Sequence, residues 1–124
     1  MATITNQAAL SYNGITTLSN IAVGELVEVL TAAKTAVDDT YTAGGDTTYV
    51  ISMLNSGGSA LTGLTLSDTL GSYLFNGNTL YPMTYRTGSL LYYVNGVLQP
   101  TPTVAATAPL TVTGISVPAG GNAI

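Results

Sequence analysis

GDTTYVISMLNSGGSALTGLTLSDTL, residues 45–70, carries two strand patterns joined by a compact turn, and these patterns decide the fold. In the first pattern Tyr49, Ile51 and Met53 share one face, which is typical of a half-buried β-strand. Asn-Ser-Gly-Gly follows and favours a turn. Alternating leucines and threonines then predict a second strand that ends at Asp68. Because no catalytic motif occurs here, the stretch indicates architecture more than chemistry.

Two Asn-Gly pairs, at residues 13–14 and 95–96, predict hairpins with two-residue turns. The first makes residues 1–23 a hairpin by themselves, and a lone hairpin is marginally stable in water. We therefore expect it to pack on something larger. The second joins strands over residues 89–94 and 97–99.

The rest of the chain also has strand character. Residues 25–35 contain good helix formers, but β-branched side chains and a period of two favour a strand. A polar loop is predicted at residues 37–46 and a short edge strand at residues 80–85. Two further strands are predicted at residues 110–112 and 115–117. About eight or nine short strands with no helix predict an all-β fold, a β-sandwich over residues 24–124 that follows the hairpin.

Composition excludes several classes of function. Only 6% of the residues are charged, against roughly 25% in an ordinary soluble domain. With two basic and six acidic residues and a net charge of -4, the chain has no basic patch for nucleic acid. Cysteine and histidine are both absent, which removes the usual catalytic triads and most transition-metal sites. We expect neither an enzyme nor a cofactor.

Six short segments, taken together in order and spacing, resemble a conserved repeat domain of unknown function, the Ig-like tandem repeats of bacterial and archaeal surface proteins. They are KTAV (34–37), TAGGD (42–46), TYVIS (48–52), NSG (55–57), LTLSD (64–68) and VPAGG (117–121). The resemblance implies an Ig-like sandwich and a secreted or surface-exposed structural module without known catalysis. We expect the protein outside the cell or on its surface, the spore surface included.

The chain departs from this family at both ends. Family repeats continue past a GGNA-like segment into further strands, the last of ITNTATV type, whereas ITNQA at residues 4–8 resembles that last strand at the opposite end. One explanation is that the sequence is a cut from a longer tandem array. The other is that the N-terminal segment completes the sandwich of the next subunit as a donor strand, a head-to-tail contact that yields a filament. The donor face would consist of Ile4, Asn6, Ala8, Leu10 and Tyr12.

Three polar residues fall at positions where alternation predicts an inward side chain, namely Asn6, Lys34 and Asp68. They resemble the components of the spontaneous isopeptide bond of Ig-like adhesin and pilin domains. In that reaction a neutral lysine amine attacks the asparagine amide carbon, a protonated carboxyl polarises the amide, and ammonia leaves. The alternative is a hydrogen-bonded or ion-paired trio, or strand-end residues exposed to water.

Two weaker candidates are binding sites. Asp38, Asp39 and Asp46 flank one loop and offer oxygen ligands for Ca²⁺, although their spacing matches no known calcium loop, and ordinary solvated acids are the alternative. Four tyrosines suggest a carbohydrate-stacking or subunit-contact patch, or else core positions. They are Tyr81, Tyr85, Tyr92 and Tyr93.

The opening residues, MATITNQAALSY, contain no basic stretch and no apolar core of a signal peptide, and no apolar run is long enough to span a bilayer.

Taken together, the composition, the resemblance and the N-terminal segment predict a self-associating structural subunit or repeat module. The alternative is a surface adhesin that binds glycan or protein.

Overall fold

A computed structural model describes residues 3–25 and 28–124. Within these residues the chain is all-β, with no helix and twelve strands. The first six strands are β1 (Thr3–Tyr12), β2 (Ile15–Glu25), β3 (Leu30–Ala36), β4 (Tyr49–Asn55), β5 (Leu61–Asp68) and β6 (Tyr73–Phe75). The other six are β7 (Asn78–Leu80), β8 (Tyr92–Val94), β9 (Val97–Gln99), β10 (Thr103–Thr107), β11 (Leu110–Val117) and β12 (Asn122–Ala123).

The strands form two larger sheets and two separate hairpins. One sheet has the order β10-β11-β5 and the other the order β3-β4-β12-β8-β9, while β1-β2 and β6-β7 pair only with each other. Every pairing is antiparallel. The short β12 therefore lies between two longer neighbours, β4 and β8, inside the five-stranded sheet.

A single hydrophobic cluster joins the two larger sheets. Strand β11 contributes Val112, Ile115 and Val117, and the five-stranded sheet contributes the other three buried members, Met53, Tyr92 and Ala123. Since the apolar residues of β4 and β11 alternate with more exposed neighbours, each sheet presents one face to this cluster.

The opening stretch forms both of its predicted strands. Met53 is buried and Ile51 half-buried, whereas Val50 and Leu54 on the other face are exposed, as the alternation predicts. The second strand ends at Asp68, also as predicted. The two strands do not pair, however, because β4 belongs to the five-stranded sheet and β5 to the three-stranded one.

Both Asn-Gly hairpins predicted from the sequence are present. Asn13 and Gly14, and likewise Asn95 and Gly96, have the positive φ angles that a type I′ turn requires. A third hairpin, β6-β7, turns in the same way at Asn76-Gly77, and the sequence-based prediction of strands did not include it.

Three expectations are corrected. Residues 81–85 form no strand, because the Asn-Gly turn places the strand earlier, at Asn78–Leu80. Residues 110–117 form one strand and not two. Its register opposite β5 shifts at two places, the first of them at Gly114, which has a positive φ. With β6, β10 and β12 added, twelve strands replace the expected eight or nine.

The segment after the N-terminal hairpin is strand only in part. Strand β2 reaches Glu25 and β3 begins at Leu30, while residues 26–27 of the predicted strand lie outside the described residues. The polar loop before β4 is present. All of residues 3–24 are exposed, so the hairpin does not pack on the core of its own chain. The expectation that it packs on something larger stays a prediction.

Candidate functional site

Strand β1 presents an apolar row to solvent. The five residues predicted to form a donor face, Ile4, Asn6, Ala8, Leu10 and Tyr12, all lie on this regular strand, and all five are exposed. The larger apolar members are about two-thirds to three-quarters exposed: Ile4 67%, Leu10 72% and Tyr12 74%. Threonine, glutamine and serine occupy most of the opposite face. The strand thus has the alternation of a sheet strand with one buried face, yet it buries neither.

A β-bulge in β2 breaks the same alternation on the other strand. The register shifts between Gln7 and Ala9, and the Ser19 hydroxyl accepts a hydrogen bond of 2.9 Å from the Ala8 amide. Before the bulge Ile15 lies opposite Tyr12, and beyond it Ile21 lies opposite Gln7. The apolar side chains of β2 are therefore divided between the two faces of the hairpin, whereas those of β1 are not.

Lys34 and Asp68 meet across the two sheets. Lys34 Nζ lies 2.6 Å from Asp68 Oδ2 and 4.3 Å from the centre of the Tyr49 ring. The Asp68 side chain is 12% exposed and that of Lys34 39%. Because β3 and β5 are edge strands of different sheets, this ion pair ties one sheet edge to the other.

Burial disfavours the charged form of the Asp68 carboxyl, but its hydrogen bonds and the charge of Lys34 favour that form more strongly. Burial alone would raise the pKa of Asp68. The hydrogen bond from Lys34, a second from the Leu70 amide at 2.9 Å, and the lysine charge together hold that pKa below its ordinary value of 3.8. The carboxylate is thus ionised at neutral pH. An isopeptide reaction needs a protonated acid at this position.

The predicted trio is brought together only in part within one chain. Lys34 and Asp68 are in contact, whereas Asn6 lies in the exposed hairpin, in register with Ala22 of β2. A bond between Asn6 and Lys34 therefore stays a prediction that concerns two chains.

The loop acids are not assembled into a cation site. No group of three acidic or other metal-ligating side chains occurs in residues 3–25 and 28–124. Asp46 instead pairs with Arg86 at 2.5 Å, with both side chains about three-quarters exposed. Asp38 and Asp39 are exposed loop residues, so the structure adds no geometric support for calcium at these three positions.

The four singled-out tyrosines do not form one exposed patch. Tyr92 belongs to the core, where its hydroxyl donates a 2.6 Å hydrogen bond to the Ser116 carbonyl and accepts one from the Ser116 amide. Tyr81, Tyr85 and Tyr93 are half-buried. For Tyr92 the core position that the sequence analysis gave as the alternative is confirmed.

Asn55 has a structural role beyond the turn that the sequence predicts for it. Its side chain is fully buried. Its amide donates to the carbonyls of Ser59 and Val117 at 2.8 and 3.2 Å, and its side-chain oxygen accepts from the Gly57 amide at 2.9 Å. An asparagine at the end of an apolar strand was the available signal, because buried polar side chains need such partners.

The chain matches no family model, no curated protein and no solved structure. In the part of the chain that the structure describes, no helix is long and apolar enough to cross a membrane.

Proposed function

We propose that the protein is a structural subunit or repeat module of an extracellular filament or cell-surface layer, which assembles head to tail through β-strand complementation. In this proposal β1 of one subunit completes a sheet of the next. The partner is thus a second copy of the chain, and the fold acts as an Ig-like sandwich that is complete only in the assembly.

The exposed apolar row of β1 is the observation that carries this proposal. An exposed and largely apolar surface usually marks an interaction site. This row has the period of two that a β-sheet demands, and it lies on a hairpin that is only marginally stable alone. Strand addition would cover the row and satisfy its backbone groups together.

Composition and resemblance are consistent with such an assembly. With 6% charged residues and a net charge of -4, copies of the chain repel one another weakly. The repeat segments resemble those of bacterial and archaeal surface proteins, and they suggest the extracellular setting.

Negative-stain microscopy of the purified chain, with and without residues 1–12, tests the proposal. We expect filaments or extended oligomers from the full chain and none from the truncated one. Filaments that persist without these residues would contradict strand complementation by β1.

A surface adhesin for glycan or protein is the second candidate, with less support because the tyrosine set is largely withdrawn from solvent. It predicts that the monomer binds on a glycan array, with no need for assembly.

A further inference from the structure

We infer that β1 of a second copy of the chain pairs with the outer edge of β5, where its Asn6 side chain contacts the Lys34–Asp68 ion pair; this rests on the proposed function. In the assembly β1 becomes the fourth strand of the three-stranded sheet, in the order β10-β11-β5-β1, and it runs antiparallel to β5.

An apolar groove separates the edges of the two larger sheets. Leu66 and Asp68 of β5 line one wall, and Ala32 and Lys34 of β3, with Ile51 of β4, line the other. Among the residues that the structure describes, β5 has only β11 as a hydrogen-bonded neighbour, and β3 has only β4. Both walls therefore offer backbone N–H and C=O groups to an added strand.

The exposure of β3 favours β5 as the edge with which the added strand pairs. Ala32 and Lys34 lie in register with Met53 and Ile51, the inward side chains of β4, and yet both are exposed. A strand added to β5 would lie across the groove from these two residues and cover them with its own inward side chains. A strand added to β3 would widen the five-stranded sheet and leave its inner face uncovered.

One polar group on β1 matches one polar site in the groove. Apart from the Tyr12 hydroxyl at its end, the donor face carries a single polar side-chain group, the amide of Asn6. The groove contains one charged pair, Lys34 and Asp68. Anywhere else along the apolar walls the buried amide would lose its hydrogen bonds to water without replacement. This match sets the register, with Asn6 beside the ion pair.

The ion pair is able to bind an amide. Lys34 Nζ donates one hydrogen bond to Asp68 Oδ2, at 2.6 Å, and its side chain is 39% exposed. An ammonium group has three protons to donate, and a primary amide has one acceptor oxygen and two N–H donors. Asn6 can therefore accept a hydrogen bond from Lys34 Nζ and donate one to the Asp68 carboxylate. These bonds would replace water around a partly exposed pair.

The position of Asp68 determines the direction of β1. Asp68 is the last residue of β5. With Asn6 opposite Asp68, an antiparallel β1 places Leu10 opposite Leu64, an inward and half-buried position of β5. A parallel β1 would instead carry Leu10 past the end of β5. The antiparallel direction is also the direction of every other strand pair in this fold.

An exchange of charges tests the contact of Asn6 with the ion pair. Asn6→Asp places a second carboxylate beside Asp68, and we expect it to abolish filaments at concentrations at which the unaltered chain forms them. The double variant Asn6→Asp, Asp68→Asn again has one carboxylate, one amide and one ammonium group, and we expect filaments to return. Asn78→Asp, the same substitution at an exposed end of β7, is the matched control and should assemble normally. Filaments from Asn6→Asp alone, or no recovery in a folded double variant, would overturn the contact.

Mixed single-cysteine chains test the edge and the register, because the chain has no cysteine of its own. In the inferred register Gln7 lies opposite Ser67. A Gln7→Cys chain mixed with a Ser67→Cys chain should therefore give a disulfide-linked heterodimer, which its mass identifies. Ala33→Cys on β3 is the matched acceptor, since Ala33 and Ser67 are both exposed residues of edge strands, and it should give none. A heterodimer through Ala33→Cys, or none through Ser67→Cys, would overturn β5 as the acceptor.

The two proposals fail in different ways. If the unaltered chain forms no oligomers, the proposed function is wrong, and the inferred contact is wrong with it. If the chain assembles but the charge exchange or the Ser67→Cys heterodimer fails, assembly stands and the inferred contact is wrong. A double variant Gln7→Cys, Ser67→Cys that closes a disulfide within one chain, while the mixed chains form no heterodimer, would place β1 in the groove of its own chain. That result would overturn a second copy as the occupant.

Discussion

The contact between Lys34 and Asp68 is the chemistry that the fold builds at the scale of single residues. Alternation along the sequence predicted both side chains on inward faces, and they do meet, at 2.6 Å. The contact is partly exposed on the lysine side, which limits its energy. The ion pair links the edge strands of the two larger sheets, β3 and β5.

Asp68→Asn should reduce both the stability and its dependence on pH. The pKa of Asp68 is lower in the folded protein than in the unfolded chain. As the pH falls, the Asp68 carboxyl therefore takes up its proton in the unfolded chain before it does so in the folded protein. The free energy of unfolding therefore falls as pH drops below about 4 and through the folded pKa. At pH 7 we expect Asp68→Asn to lower the free energy of unfolding by about 1 kcal/mol. At a pH below the folded pKa of Asp68 we expect a much smaller loss. Urea unfolding at several pH values measures it, with Asp46→Asn in the exposed ion pair as the control; equal losses would contradict the prediction.

Asn55→Ala should be more costly, since it removes three hydrogen bonds made by a fully buried side chain, one of them in the core and two part-buried. We expect a loss of about 2–3 kcal/mol in the free energy of unfolding. Thermal unfolding followed by circular dichroism is the measurement, and Asn78→Ala at an exposed strand end is the matched control. A change no larger than that of the control would show that water replaces these bonds.

At the scale of elements, β12 is the shortest strand and yet the link between β4 and β8. The turn that precedes it is tightly packed. A Cβ on Gly121 would lie 2.6 Å from the Pro118 ring and 2.7 Å from the Asn95 side chain, whose oxygen accepts a hydrogen bond from the Asn122 amide. The turn therefore fixes where β12 enters the sheet.

Gly121→Ala should displace this entry and destabilise the fold by about 1–3 kcal/mol, because the proline ring cannot rotate away. Gly58→Ala is the control, since a Cβ there meets nothing within 4 Å and its φ is not positive. Urea unfolding of the two variants measures the difference between their midpoints. Similar midpoints would mean that the Asn95 side chain and the turn adjust without strain.

At the scale of the whole molecule, the apolar hairpin is exposed while both larger sheets contribute to one core. A side chain that is exposed in the monomer and buried in the assembly can be changed with little effect on folding. Such positions separate the stability of the subunit from its association.

Leu10→Asp should leave the unfolding midpoint of the monomer unchanged and abolish filament formation, because a carboxylate cannot be buried unpaired in the apolar contact that we propose for β1. Leu74→Asp, on the β6-β7 hairpin, is the matched control, since the two leucines are 72% and 75% exposed. Light scattering and negative-stain microscopy provide the measurement. Normal filaments from Leu10→Asp would exclude Leu10 from the interface.

Much of the local structure was predictable, because turn chemistry and side-chain period act over a few residues. Asn13-Gly14 and Asn95-Gly96 both form the hairpins expected of them, and Asn76-Gly77, which carries the same signal, forms a third. The inward positions of Met53 and Asp68 also follow from alternation.

Only the tertiary structure decided which strands share a sheet. Strands β4 and β5 are neighbours along the chain but belong to different sheets, and the buried Asn55 binds the Val117 carbonyl from far along the sequence. The sequence by itself determined that the chain is all-β, with short strands separated by turns, and that apolar and polar side chains alternate along β1. Long-range pairing depends on how all the apolar faces fit one core, so the assignment of β4 and β5 to different sheets and the exposure of β1 are properties of the tertiary structure alone.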